Sequence, residues 1–187
     1  EMYPASTFES DGPFTDRFPA ILPDGRQIVL PIRALPDGRH GLASLIINQA
    51  SFAVQDALAE ALATRLASLR PEIVVGLPTL GLTLASAVAR ALGHKRFVPL
   101  GTSRKFWYDE ALSVPLSSIT SPGQAKRLYV DPRMLALMKG RRIALVDDVI
   151  SSGVSMAAAT ELMKIEAIEP VCLGCAMLQT ERWKEQI

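Results

Sequence analysis

One stretch constrains the fold of this chain more than any other: an apolar run that ends in two adjacent carboxylates and continues at once into a loop of small residues. Its residues are Ile143-Ala144-Leu145-Val146-Asp147-Asp148-Val149-Ile150-Ser151-Ser152-Gly153-Val154-Ser155. The pattern predicts a buried strand with the acidic pair at its solvent-facing end, a tight loop, and a helix from Val154. Ligands of open α/β sheets bind beyond the carboxyl ends of the strands, so the acidic pair is expected in a binding site.

The loop and the acidic pair differ in the chemistry they offer. Residues 151–155 supply backbone N–H groups and hydroxyls at a helix N-terminus, which favours an anion. Asp147 and Asp148 repel bare phosphate and suit sugar hydroxyls or Mg²⁺. Together the two parts favour a phosphorylated sugar as ligand. Two simpler readings stay open: an acidic pocket like that of a receiver domain, or Asp148 acting only as a helix cap with Asp147 partly solvated.

The rest of the chain from about residue 50 alternates between helical and strand patterns. Helices are predicted over 51–69, 82–92 and 154–165, and short apolar strands over 73–77, 97–100, 142–147 and 171–178. Such alternation predicts an α/β fold with a parallel twisted sheet and helices on both faces.

Two further regions stand apart from this pattern. Residues 1–48 are rich in turns and contain strand candidates at 27–32 and 42–47, so we expect a small N-terminal subdomain there and the core over 49–187. Residues 102–130 show no sustained period. Because a loop of that length in a compact domain is usually functional, we expect a mobile loop.

Composition narrows the classes of protein that remain. The 187 residues are 49% hydrophobic with a net charge of +1, which is enough for a full core and gives no reason to expect a nucleic acid or a membrane as partner. No apolar run is long enough for a membrane helix, and no signal-peptide pattern is visible. Cys172 and Cys175 lie in an apolar run that predicts a buried strand with inert thiols, which fits a cytoplasmic protein.

Two weaker motifs add to the acidic pair. Gly76-Leu77-Pro78-Thr79-Leu80-Gly81 follows a predicted strand and precedes a predicted helix, where its backbone could face an anion. Taken alone, it is typical of an ordinary strand-to-helix turn. Arg104 and Lys105 follow another strand and could neutralise an anionic leaving group, although a solvated basic pair has the same sequence.

The thirteen-residue run resembles the phosphoribosyl pyrophosphate (PRPP) motif of the type I phosphoribosyltransferases, with Ser155 in place of the usual Thr. The resemblance implies that Asp147 and Asp148 hold the ribose hydroxyls, in part through Mg²⁺, and act in catalysis. It implies that the 5′-phosphate is wrapped by Ser151, Ser152, Gly153, Val154 and Ser155.

The same resemblance assigns functions to the two weaker motifs. Thr79, Leu80 and Gly81 would bind pyrophosphate, in a loop where relatives often carry a non-proline cis peptide. Arg104 and Lys105 would also bind pyrophosphate, and Lys105 would act in catalysis. Residues 1–48 would form the hood that selects the base. The resemblance also implies a homodimer.

The base itself is less well defined. Ser151 stands where hypoxanthine-guanine and xanthine enzymes usually have Asp, and the Lys-x-x-x-Gly loop of orotate enzymes is absent from the sequence. A purine, adenine-like, is therefore preferred. Val149 and Trp183 are expected to flank the base, although Trp183 could instead pack the C-terminal segment onto the core. The implied function is transfer of ribose-5-phosphate from PRPP to a nitrogenous base; the alternative is a PRPP-sensing regulator without catalysis.

Overall fold

The architecture comes from a computed structural model that describes residues 1–116 and 126–187. Among the helices of these two ranges, none is long and apolar enough to cross a membrane. The strands are β1 (Met2–Tyr3), β2 (Arg17–Ile21), β3 (Gln27–Ala34), β4 (Gly41–Ala43), β5 (Ile73–Gly76), β6 (Val98–Pro99), β7 (Ser113–Leu116), β8 (Lys126–Tyr129), β9 (Ile143–Ile150) and β10 (Pro170–Leu178). The helices are α1 (Phe52–Ala67), α2 (Gly81–Ala91), α3 (Leu135–Met138) and α4 (Val154–Ile165).

The central sheet has the order β10-β9-β5-β6 and is parallel throughout. Its two faces carry separate apolar clusters. Ala144 and Val146 of β9 pack with the buried faces of α1 and α2, whereas Ile143 and Leu145 pack with α4. Because side chains alternate between the faces of a strand, a strand covered on both sides must be apolar at every position, as β9 is up to Val146. The predicted α/β fold is confirmed.

The N-terminal residues form an antiparallel sheet in which β3 pairs with β1, β2 and β4. The strand predicted over 27–32 is present as β3. The strand predicted over 42–47 is wrong beyond residue 43, since only β4 forms and a short 3₁₀ helix follows at Ile47–Gln49. β2 was not predicted, because it contains Pro19; proline is tolerated there because β2 is an edge strand.

The prediction of one irregular loop over 102–130 is wrong in part. β7 and β8 form an antiparallel ribbon that packs on α4, and Leu112, Val114, Leu128 and Val130 are buried. Each strand is too short for an alternating pattern to stand out, so packing against α4 decides their structure. Residues 117–125, the centre of the expected mobile loop, lie outside the described residues.

The strand predicted over 171–178 is present as β10, but the prediction that it is buried is wrong in part. β10 pairs with β9 alone and leaves Leu173 and Leu178 exposed, because it forms the edge of the sheet. Cys172 and Cys175 are free and half-buried. Burial raises the pKa of the Cys175 thiol to about 11, which agrees with the inert thiols predicted from the sequence.

Candidate functional site

Asp147 and Asp148 lie inside β9, at the point where its neighbour β5 ends. Pairing with β5 stops at Val146, while pairing with β10 continues to Ile150. Each aspartate is only 8% exposed and β9 continues to Ile150, so the expectation that the pair faces solvent at the end of the strand is wrong. The strand runs further because β10 continues to supply hydrogen bonds after β5 has ended.

Within the described part of the chain, no basic side chain is paired with the acidic pair. The Asp148 N–H donates to Asp147 Oδ1 at 2.9 Å. Burial, a side-chain hydrogen bond with Asp148 and the charge of Asp148 together raise the pKa of Asp147 to about 7. Two buried carboxylates without a counter-charge fit a divalent cation that completes its shell with substrate oxygens.

The loop that follows the acidic pair borders a small cavity of about 120 Å³ that is open to solvent on one side. Gly153, the residue immediately before α4, has φ +83°, the left-handed conformation that favours glycine. The Thr180 hydroxyl donates to the Ser151 carbonyl at 2.6 Å and so ties the loop to the segment after β10. No sequence signal pointed to Thr180. The cavity is lined by Asp147, Val149, Ile150, Ser151, Ser152, Gly153, Ser155 and Met156.

The loop between β5 and α2 lies directly against the acidic pair. A Cβ added at Gly81 would collide with Asp147 Oδ1 and lie 2.9 Å from Asp147 Cα. Thr79 is exposed and Leu80 is half-buried. The Pro78–Thr79 peptide bond is cis, as expected from the resemblance. Two motifs that are distant in the sequence therefore meet at Gly81 and Asp147.

Arg104 and Lys105 do not join this group. Both are exposed and follow β6, and β5 lies between β6 and β9. The Arg104 side chain pairs with Glu110, with Nε 3.4 Å from Oε2. Neither residue lines the cavity beside the acidic pair.

The two residues expected to flank the base lie in different places. Val149 lines the 120 Å³ cavity, whereas Trp183 lines a neighbouring open groove of about 720 Å³ together with Leu178. Ile150 borders both. Trp183 Cα would be 3.1 Å from a Cβ at Gly153, so this segment packs closely on the small-residue loop. This placement favours a packing role for Trp183.

Comparison with known proteins identifies the family. The phosphoribosyl transferase domain family matches residues 44–186, most of the chain. The chain belongs to this phosphoribosyltransferase family. The resemblance found in the acidic-pair motif is thereby confirmed, and the matched region contains α1, the whole central sheet and both loops at Asp147.

Individual relatives agree with the family. The chain is similar to the orotate phosphoribosyltransferase of Halorhodospira halophila (strain DSM 244 / SL1), with 32% identity over 118 residues, which are 62% of this chain and 47% of that protein. The chain thus spans about half the length of this relative.

Solved structures resemble it in fold. Adenine phosphoribosyltransferase from Saccharomyces cerevisiae, complexed with an imino-altritol bisphosphate and adenine, has a TM-score of 0.62 at 20% identity and covers 80% of this chain and 84% of its own. The adenine phosphoribosyltransferase from Giardia lamblia, complexed with 9-deazaadenine, has a TM-score of 0.63 at 21% identity, and the match covers 83% of this chain and 88% of that one.

Proposed function

We propose that this chain transfers ribose-5-phosphate from PRPP to a nitrogenous base and releases pyrophosphate. One observation carries the proposal: a buried acidic pair without a counter-charge borders a small cavity at the N-terminus of α4. Hydroxyl-binding and phosphate-binding groups are thus side by side, as a phosphorylated sugar requires. The family to which the chain belongs supports the same reaction.

The 5′-phosphate would bind in the cavity formed by residues 151–155. Its oxygens would accept hydrogen bonds from the backbone N–H groups at the start of α4 and from the hydroxyls of Ser151, Ser152 and Ser155. A cavity of about 120 Å³ holds a few water-sized groups, each needing about 30 Å³, which matches a phosphate. The tie from Thr180 to Ser151 holds the loop in place before the ligand arrives.

Asp147 and Asp148 would accept hydrogen bonds from the ribose hydroxyls. They would also hold Mg²⁺ directly or through water, since two adjacent carboxylates suit an ion that keeps several waters and takes substrate oxygens as ligands. When bound, Mg²⁺ supplies positive charge to the pyrophosphate group. The raised pKa of Asp147 falls when a cation lies beside it, because a nearby positive charge favours the carboxylate.

The reaction breaks the bond from C1′ of the ribose to pyrophosphate and forms a bond from C1′ to a ring nitrogen of the base. Thr79, Leu80 and Gly81 would bind pyrophosphate through the N-terminus of α2, next to Asp147. Arg104 and Lys105 would approach through movement of the exposed loop between β6 and β7, and Lys105 would stabilise the leaving group. Arg104 must first leave Glu110.

We propose a purine, adenine-like, as the base. Ser151 provides no carboxylate to move a proton on the ring, unlike the Asp that hypoxanthine-guanine enzymes usually carry there. Val149 lines the cavity and would form one wall of the base site. Residues 1–48, which form the separate antiparallel sheet, would act as the hood.

The test is a screen of adenine, hypoxanthine, guanine, uracil and orotate for pyrophosphate release that depends on PRPP and Mg²⁺. Asp148→Asn should abolish release. Asp56→Asn, an exposed carboxylate on α1, is the matched control and should leave it unchanged. PRPP binding without turnover on any base would favour the sensing regulator. Absence of PRPP binding in calorimetry would refute both functions.

A further inference from the structure

The outer edge of β10 is an open strand edge that carries no charge. β10 is the last strand in the order of the central sheet and pairs only with β9 within the described residues. Residues 172–178 contain no charged side chain and no proline. Soluble proteins usually protect such an edge with charges, prolines or a bulge, because its free N–H and C=O groups can pair with another strand. The edge of β10 beyond Cys172 has none of these protections.

The groove of about 720 Å³ follows this edge. Residues 173–176 line it one after another, and Leu178 lines it as well. Because successive side chains of a strand point to opposite faces of the sheet, a groove lined by four residues in a row runs along the edge itself. Its walls lie on the two faces: Ala176 packs with the apolar cluster of α1, whereas Cys175 and Trp183 pack with the cluster of α4. The edge is therefore recessed between α1 and the segment after β10.

Large apolar side chains around the groove are left partly in solvent. Ile21 of β2 is 58% exposed, and Leu173 and Leu178 of β10 are 39% and 55% exposed. All three line the groove, together with Ile187, which is 37% exposed. A cluster of exposed apolar side chains around one groove usually marks an interaction surface.

One charge stands among these apolar groups. Among the described residues that line the groove, Arg65 of α1 carries the only charged side chain, and it forms no ion pair with a described residue. Its neighbours on the helix, Leu62 and Leu66, would lie 3.3 Å and 3.6 Å from a Cβ at Gly174. Arg65 therefore lies near the end of the groove at Leu173 and Gly174, where it suits a carboxylate of the occupant.

We propose that the groove binds an extended apolar peptide segment of another protein, which adds to β10 as a further strand and ends in a carboxylate at Arg65. The main chain of the peptide would pair with the free N–H and C=O groups of β10, and its side chains would contact the two walls alternately. A peptide strand of about 20 Å would cover residues 173–178. Its C-terminal carboxylate would reach Arg65 if the peptide runs antiparallel to β10. This surface does not depend on the proposed reaction.

Two other occupants fit the groove less well. A compact apolar molecule would cover the edge and leave its N–H and C=O groups without partners, which is unfavourable. The edge-to-edge approach of a second sheet would bring the covering layers of that sheet against α1 and Trp183, because the edge is recessed between them. A single extended strand satisfies the edge and fits between the walls.

The first test is titration calorimetry of the full chain with acetylated hexapeptides that alternate valine, leucine or isoleucine with threonine and end in a free carboxylate. We expect binding with a micromolar Kd. N-methylation of every second amide removes N–H groups from one edge of a peptide only, so one of the two alternate methylation patterns should abolish binding and the other should leave it. Equal binding of both methylated forms, or no binding of any hexapeptide at high micromolar concentration, would overturn the proposal.

Variants of the groove test the place and the direction of binding. Leu178→Lys puts a charge on the edge and should weaken peptide binding at least about tenfold. Ile165→Lys is the matched control, because Ile165 is 45% exposed on α4 and does not line the groove, and it should bind like wild type. Wild type should prefer the free carboxylate to the amidated peptide, and Arg65→Glu should reverse that preference.

Circular dichroism confirms that each variant is folded. A folded Leu178→Lys chain that binds the peptides like wild type would refute the site, and an unchanged preference in Arg65→Glu would refute the carboxylate contact. Dodecanoate that binds more tightly than every hexapeptide would assign the groove to a small apolar acid instead. A wild-type dimer in analytical ultracentrifugation that Leu178→Lys dissociates and the hexapeptides do not would assign the edge to a second copy.

Discussion

Replacing Gly81 with alanine tests the contact that joins the two loops of the site. The added Cβ would overlap Asp147 Oδ1 and lie 2.9 Å from Asp147 Cα. The side chain could rotate away, but the Cα belongs to β9, which is hydrogen-bonded to β10 at this position. The start of α2 must therefore move away from the acidic pair.

Two opposing effects set the change that Gly81→Ala makes in the free energy of unfolding. Alanine in place of glycine within a helix is favourable by about 0.5–1 kcal/mol. Overpacking a well-packed site costs about 1–3 kcal/mol. The clash should win, with a net loss of about 1–2 kcal/mol in the free energy of unfolding. For a chain of this size, that lowers the Tm by about 2–8 °C. Affinity for PRPP should fall as well, because the loop proposed to bind pyrophosphate is displaced.

Thermal unfolding by circular dichroism and PRPP titration by calorimetry check both expectations. Gly101→Ala is the matched control, since a Cβ there meets no atom within 4 Å and its φ lies outside the left-handed region. It should change neither quantity. A Gly81→Ala protein with wild-type or higher stability and unchanged PRPP affinity would refute the proposed packing of α2 against Asp147.

Three other predictions follow from the site. Because the pKa of Asp147 is raised to about 7, the folded state keeps a proton that the unfolded state loses near pH 4, so the free energy of unfolding of the metal-free protein falls as pH rises from about 4 to about 7. At pH 8 Asp147→Asn should therefore be more stable than wild type, by at most about 4 kcal/mol in the free energy of unfolding and with a higher Tm, whereas the two should melt equally at pH 4. Equal melting at both pH values would contradict this shift. Asp148→Asn should weaken PRPP binding about ten- to hundredfold while the fold survives, because hydrogen bonds to a charged acceptor are lost. Unchanged PRPP affinity in calorimetry would show that Asp148 does not bind the ribose hydroxyls. Because Trp183 packs on the small-residue loop, Trp183→Ala should lower the free energy of unfolding by about 1–3 kcal/mol and leave the KM for the base nearly unchanged. A raised KM for the base without loss of stability would instead support stacking of Trp183 on the base.

Local patterns were enough to predict the central α/β framework. The apolar spacing of Val54, Leu58, Leu62 and Leu66 predicts α1, and all four are buried. The core strands β5 and β9 are short apolar runs, and the glycine at 153 is needed at the start of α4. These features follow from the periodicity and backbone conformation of neighbouring residues, so a single sequence contains them.

Other features depend on elements that are distant along the chain. The sequence contains the acidic pair, but only the pairing of β9 with β10 places it inside a strand and buries it. The contact of Gly81 with Asp147 arises because the carboxyl ends of two adjacent parallel strands meet at one edge of the sheet. The same edge position leaves Leu173 and Leu178 in solvent and directs Trp183 into the neighbouring groove. Residue types therefore determine which groups the site contains, whereas burial, charge state and mutual contact are properties of packed neighbours that no local pattern encodes.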